Sequence, residues 1–90
     1  MVSIEFDAAK DVANIAKHAV SLSLAEHVRW DTAVAWIDRR FEYGETRWIA
    51  LVPLNETLYY VAFTWRFETR RIVSMRRATL KEARRYATRP

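Results

Sequence analysis

The chain predicts an α+β domain in two layers: two N-terminal helices, a four-stranded antiparallel sheet and a C-terminal helix. Three observations carry that prediction. Residues 8–18 and 80–87 follow good N-cap residues and repeat apolar side chains at helical spacing. Residues 32–77 switch to a period of two, broken by short turn clusters. The connections between those strands are too short for crossovers, so consecutive strands must pair antiparallel.

Ser3 to Phe6 alternates polar and apolar residues, as a short strand does. Asp7 is the N-cap of the first helix, residues 8–18. Val12, Ile15, Ala16 and Ala19 give this helix an apolar face. Lys17 and His18 fall in its last turn, where cations suit the helix dipole. A second helix starts at Ser21 or Ser23, the latter making a capping box with Glu26. Leu22, Leu24, Ala25 and Val28 supply its buried side, and it ends near Trp30 and Asp31.

The four predicted strands are residues 32–40, 47–52, 58–66 and 71–77. Turns are placed at Glu42-Tyr43-Gly44-Glu45, at Pro53-Leu54-Asn55-Glu56 and at Phe67-Glu68-Thr69. Thr79 then opens the last helix, with Glu82 at the third helical position to complete a capping box. The two middle strands are apolar on both faces, unlike a half-exposed sheet. Either the last helix folds onto the second face or a partner covers it.

Composition bounds the function. Ninety residues make one small domain, residues 1–90, without repeats or linkers. With 51% apolar residues, one glycine and two prolines, the chain should fold. It has no cysteine, which excludes disulfides and thiolate metal sites. No apolar run approaches the roughly 18 residues that span a membrane. The N-terminus lacks the pattern of a signal peptide, so a cytoplasmic location without membrane association is expected. Charge is uneven. Residues 66–90 hold nine Lys/Arg and two acids, whereas residues 1–65 hold six Lys/Arg and nine acids. A basic C-terminal quarter on a mildly acidic body points to a polyanionic partner.

An ordered set of short motifs runs through nearly the whole chain: Phe6-Asp7-Ala8-Ala9-Lys10, Asn14, Lys17-His18, Val20-Ser21, Gly44-Glu45-Thr46-Arg47, Arg71 to Ala78, then Glu82 and Tyr86. In this the chain resembles the BrnT toxins, ribonucleases of type II toxin–antitoxin systems with a RelE/ParE-like fold. The resemblance implies metal-independent RNA cleavage that inhibits translation. It also implies neutralisation by a cognate BrnA-type antitoxin, with operator DNA reached only through that antitoxin. Two positions depart from the family pattern. Ala19 stands where the family has glycine after Lys-His, so the first helix is expected to end differently. Val52-Pro53 stands near a family glycine at the end of the second strand.

RNA cleavage without a metal needs a group to take the 2′-OH proton, a group to protonate the leaving 5′-oxygen, and cations to stabilise the phosphorane. His18 and His27 are the only histidines. No His, Asp or Glu cluster has metal-ligand spacing, so neither metal nor cofactor is expected. Near the motif positions, the catalytic candidates are His18, Arg76, Glu82 and Tyr86. Arg76 is expected to stabilise the scissile phosphate and Tyr86 to orient substrate. His18 and Glu82 are candidate acid and base, in an order the sequence leaves open. Lys17, Arg47, Arg70, Arg71, Arg77, Arg84 and Arg85 are the candidate RNA contacts. Each has a plainer reading: Glu82 completes a capping box, Tyr86 borders an apolar stripe, and alternation sends Arg76 and Arg77 to opposite faces. Trp36, Trp48 and Trp65 are expected in the core rather than stacked on bases. The alternative function is a non-catalytic binding module of the same fold, gyrase-inhibiting or regulatory. The protein partner is expected to lie on the apolar sheet face with carboxylates against Arg70, Arg71, Arg76 and Arg77.

Overall fold

The computed structural model describes residues 2–42 and 44–89. Its elements are β1 (Ser3–Glu5), α1 (Ala8–His18), β2 (Val34–Ile37), β3 (Trp48–Leu54), β4 (Thr57–Arg66), β5 (Thr69–Arg77) and α2 (Leu80–Ala87). Two 3₁₀ turns, Leu22–Glu26 and Trp30–Thr32, join α1 to β2. The five strands form one mixed sheet in the order β1-β5-β4-β3-β2. Among the described residues no helix is long and apolar enough to cross a membrane.

This corrects the expected architecture of two N-terminal helices over a four-stranded antiparallel sheet. The fifth strand is Ser3 to Glu5, which pairs parallel with Thr69 to Arg71. Its partner lies at the other end of the chain, so no local turn signal announces the pairing. The predicted second helix is a 3₁₀ turn capped by Ser21, whose side chain accepts from Ser23 N. Leu22, Ala25 and Val28 are buried at intervals of three, which is the 3₁₀ repeat rather than the α repeat. The strand expected from residue 32 begins at Val34 because the second 3₁₀ turn occupies Trp30–Thr32. It stops at Ile37, after which Asp38 accepts the backbone N–H of Arg40 and bends the chain. Gly44 in the next turn has φ 77°, while Tyr43 of that turn lies outside the described residues.

Asp7 caps α1 as expected, accepting from Ala9 N and Lys10 N. The helix stops at His18, and Ala19, where a different ending was expected, takes the left-handed conformation itself, φ 58° and ψ 29°. That is roughly 1–2 kcal/mol of strain for a residue with a Cβ.

α1 sits with its polar side inward. Asn14 is buried, and its amide donates to Val20 O and Met75 O while its carbonyl accepts from Met75 N. β1 pairs with β5 only as far as Arg71, so beyond that point Asn14 takes the place of a strand neighbour. Asp11 accepts from Leu22 N at 2.7 Å and from Ser21 Oγ at 3.1 Å, tying the 3₁₀ turn to the helix. The apolar residues Val12 and Ile15 are left exposed.

On the α1 side of the sheet the core is built from Val20, Leu22, Ala25 and Val28 against Ala50, Val52, Tyr59, Val61, Phe63, Ile72 and Met75. The other face carries Ile49 and Leu51, also buried. α2 lies over this second face, meeting β5 through Glu82, β2 through Arg85, and the turn before β2 through Tyr86. Of the two ways to cover the doubly apolar strands, the chain therefore uses its own helix.

Candidate active site

The junction between β5 and α2 builds the site. Alternation along β5 puts Arg76 on the α2 side and Arg77 on the other. The antiparallel register sets Arg76 beside Tyr60 of β4. Thr79 and Glu82 form the predicted capping box: Thr79 Oγ1 accepts from Glu82 N at 3.2 Å, and Glu82 Oε1 accepts from Thr79 N at 2.8 Å. The same carboxylate receives a two-pronged bond from Arg76, Nη1 to Oε1 and Nη2 to Oε2, both 2.8 Å. The Arg76 guanidinium also stacks on the Tyr60 ring, 3.9 Å from its centroid. A residue fixed along two edges and one face has little freedom left, so its charge is preorganised.

An open cleft lies beside this pair, lined by Trp36, Arg40, Tyr60, Thr79, Lys81, Glu82 and Arg85. Arg85 stacks on Trp36 at 3.8 Å, a second arginine–aromatic pair on the opposite wall. Arg40 is oriented by the buried Asp38, which accepts from its Nε and Nη2, both at 2.9 Å. Three cations, Arg40, Lys81 and Arg85, thus line the cleft around one carboxylate already occupied by Arg76, which adjoins it.

Electrostatics sort the proton carriers. The hydrogen bond from Arg76 holds the Glu82 carboxyl below its ordinary 4.5. At neutral pH it is a carboxylate bound to arginine, a poor donor and a weak base. His18 is pushed below its ordinary 6.5 by partial burial, then by the charges of Lys17 and Arg76. Its imidazole is therefore neutral at pH 7.

The structure brings Arg76 and Glu82 together and separates the other two catalytic candidates from them. His18 lies in a shallow depression at the open edge of β5, with Lys10, Lys17, Val73 and Ser74. It is coupled to Arg76 through charge. The Tyr86 hydroxyl donates to Thr32 O at 2.8 Å, and its ring carries Arg89, so it anchors α2 to the turn before β2. Of the expected RNA contacts, only Arg85 lines the cleft. Lys17 borders the His18 depression, and Arg47 lies in another depression with Ile37 and Asp38. Arg70 is enclosed by Trp30, Phe63 and Trp65, at 3.9, 5.3 and 4.6 Å, and burial pushes its pKa down. Arg71 pairs with Glu5 at 3.3 Å. Arg77 and Arg84 are exposed.

Sequence reasoning missed Trp36, Arg40, Tyr60 and Lys81 as cleft residues. Tyr60 was within reach of it, since the β4–β5 register alone places that ring beside Arg76. Trp48 packs on the core as expected, whereas Trp36 is half-buried under Arg85 and Trp65 is 39% exposed.

An open cleft lined by cations and aromatic rings combines the two features that sequence-tolerant single-strand binders use. The family can be stated more closely. The model of the family described as "Ribonuclease toxin, BrnT, of type II toxin-antitoxin system" matches residues 6–82, and the chain belongs to that family. Membership implies a cognate antitoxin as partner. Among solved structures, the crystal structure of the Brucella abortus ribonuclease toxin BrnT is similar, with a TM-score of 0.69 and 24% identity, covering 88% of this chain and 99% of that one. At that identity the likeness speaks for the fold. A search of curated proteins gave no match.

Proposed function

We propose that the cleft between α2 and strands β2 and β4 binds RNA, and that the chain cleaves it without a metal ion. The observation that carries this is the fixed Arg76 guanidinium, locked to Glu82 and stacked on Tyr60 at the cleft wall. Such a group meets developing phosphorane charge without having to reorganise. Arg40, Lys81 and Arg85 add field along the cleft, and the Trp36 and Tyr60 rings hold Arg85 and Arg76 in place. A divalent cation would be repelled here, because the one cleft carboxylate has both oxygens bound to Arg76.

In this reading Glu82 positions Arg76 and does not exchange protons. His18 takes the 2′-OH proton, since its neutral imidazole is the accepting form. The 2′-oxygen then attacks phosphorus, the bond to the 5′-oxygen breaks, and the imidazolium returns a proton to that oxygen. This requires the scissile nucleotide to lie between Arg76 and the His18 depression at the edge of β5, with Lys17 beside it. Tyr86 keeps a structural role. The antitoxin would be of the BrnA type, with operator contact made through it, and translation would stop because message is cut.

The test is the pH dependence of RNA cleavage, followed from about pH 5 to 8. A base whose pKa lies below 6.5 puts the midpoint of the acid limb below pH 6.5, with the rate falling tenfold per unit beyond it. His18→Gln should lower the plateau by about 10²–10⁴-fold and remove that limb. A limb centred above pH 6.5, or one that survives His18→Gln, would assign the base elsewhere. The same shift makes the neutral form the folded one, so stability also falls as pH drops below 6.5 through the folded-state value.

A further inference from the structure

Two arginines at the cleft are held in the same manner. Glu82 takes Arg76 on both oxygens, and Asp38 takes Arg40, Nε on Oδ1 and Nη2 on Oδ2, each at 2.9 Å. The backbone N–H of Arg40 donates to Oδ1 as well, at 3.1 Å. Asp38 itself is fixed by the sheet, because its N–H extends the β2–β3 ladder to Arg47 O at 2.8 Å. The Asp38 side chain is 2% exposed, whereas that of Arg40 is 63% exposed. A buried carboxylate paired with a cation that stands mostly in water adds little to stability. What the pair does achieve is order. A long side chain that would otherwise sample many rotamers is held with its charge on the cleft.

Position gives that charge a task. Across the sheet, His18 stands at the open edge of β5, Arg76 leans from β5 onto Tyr60 of β4, and Arg40 follows the end of β2, beyond β3. With cleavage between His18 and Arg76, Arg40 lies on the far side of Arg76 from the cut, yet lines the same cleft. Its charge is felt at Arg76. Two like charges facing one cleft leave a field that favours an anion between and over them. Of the three cations that line the cleft, Arg85 rests on a ring and Lys81 is exposed, while Arg40 is oriented by an acid.

We propose that Arg40 binds a second backbone phosphate of the RNA, on the far side of Arg76 from the phosphate that is cut, and that Asp38 is the positioning residue that holds Arg40 ready for it. The ligand rests on the nuclease reading, and the site rests on the Asp38–Arg40 geometry. Two preset guanidiniums fix the path of the strand without reading its bases.

The test uses a fluorescein-labelled 2′-O-methyl oligoribonucleotide, which has no free 2′-hydroxyl to attack, and reads its affinity by anisotropy across a salt series. Arg40→Ala should weaken binding about tenfold at low salt and flatten the slope of log affinity against log salt by about 0.7, the share of one phosphate contact. Arg40→Lys should keep the slope and recover part of the affinity. Asp38→Asn preserves the shape of the buried side chain but turns an amide N–H toward Arg40, so the guanidinium is released with its charge intact. In that background Arg40→Ala should cost no more than about threefold, because the preset orientation is already lost. A cost that stays tenfold would reduce Asp38 to a structural role and overturn that half of the proposal. Melting temperatures check that each variant is folded. Affinity and slope unchanged in Arg40→Ala, with a wild type that binds and cuts RNA, would overturn the phosphate site and leave the nuclease reading standing. A flattened slope with a wild type that cuts no RNA would uphold the phosphate site and refute the nuclease reading.

Discussion

Replacing Arg76 by alanine should lower RNA cleavage by about 10²–10³-fold while the protein stays folded. The loss is that of a preorganised cation at the position where negative charge develops. The fold should survive because Glu82 keeps its bond from Thr79 N, and the Arg76 and Glu82 side chains are still 30% and 21% exposed, so water can solvate the freed carboxylate. Arg76→Lys should recover little activity: an ammonium cannot make the two parallel bonds to Glu82 and lie flat on Tyr60 at once. Glu82→Gln should cost less than Arg76→Ala, since glutamine still completes the capping box and leaves the arginine its ring contact. Initial cleavage rates, with circular dichroism and melting for each variant, check the series. An Arg76→Ala protein that cleaves like wild type would remove this cleft from the chemistry.

Asn14→Ala should destabilise the domain by about 2–4 kcal/mol. One side chain here satisfies three backbone groups: Val20 O at 2.8 Å, Met75 O at 2.7 Å and Met75 N at 3.1 Å. Alanine leaves all three without their partner in a buried position, and each buried unsatisfied group costs about 1–3 kcal/mol before water or relaxation recovers part of it. Asn14→Asp should be no better, because a carboxylate cannot donate to two carbonyls. Urea titration decides it, as a lower midpoint at an unchanged slope. A loss below about 1 kcal/mol would mean that the edge of β5 does not depend on α1. The consequence reaches function, since His18 lies one turn beyond Asn14 on the same helix face.

How far the sequence revealed this molecule depended on the range of the interaction. α1 and α2 were legible because Asp7, Thr79 and Glu82 act within three residues of their partners. The three central strands were legible from alternation and from their short turns. β1 was legible as a segment but not as part of the sheet, because its pairing with Thr69 to Arg71 spans the chain. The 3₁₀ turn was taken for an α-helix because Leu22, Leu24, Ala25 and Val28 together fit an α-helical face, whereas only Leu22, Ala25 and Val28 are fully buried, at the 3₁₀ spacing. In the site, the Arg76–Glu82 pair was legible as two separate candidates, and only the fold shows that each occupies the other. Trp36 and Arg40 escaped because β2, which carries the one and leads to the other, is separated from β5 by β3 and β4, three pairings away from Arg76. α1 misled most: its apolar stripe is clear in the sequence, yet Asn14 and Asp11 have the closer claim on the interior.

The most direct test of the central claim is the chemistry of the cut ends. A defined RNA is incubated with purified protein in excess EDTA, and the product termini are identified by mass spectrometry. Attack by the 2′-oxygen with no metal predicts an unchanged rate in chelator, 2′,3′-cyclic phosphate on one fragment and 5′-hydroxyl on the other. Cleavage that stops in EDTA and returns with a divalent ion, or fragments ending in 3′-hydroxyl and 5′-phosphate, would contradict the account.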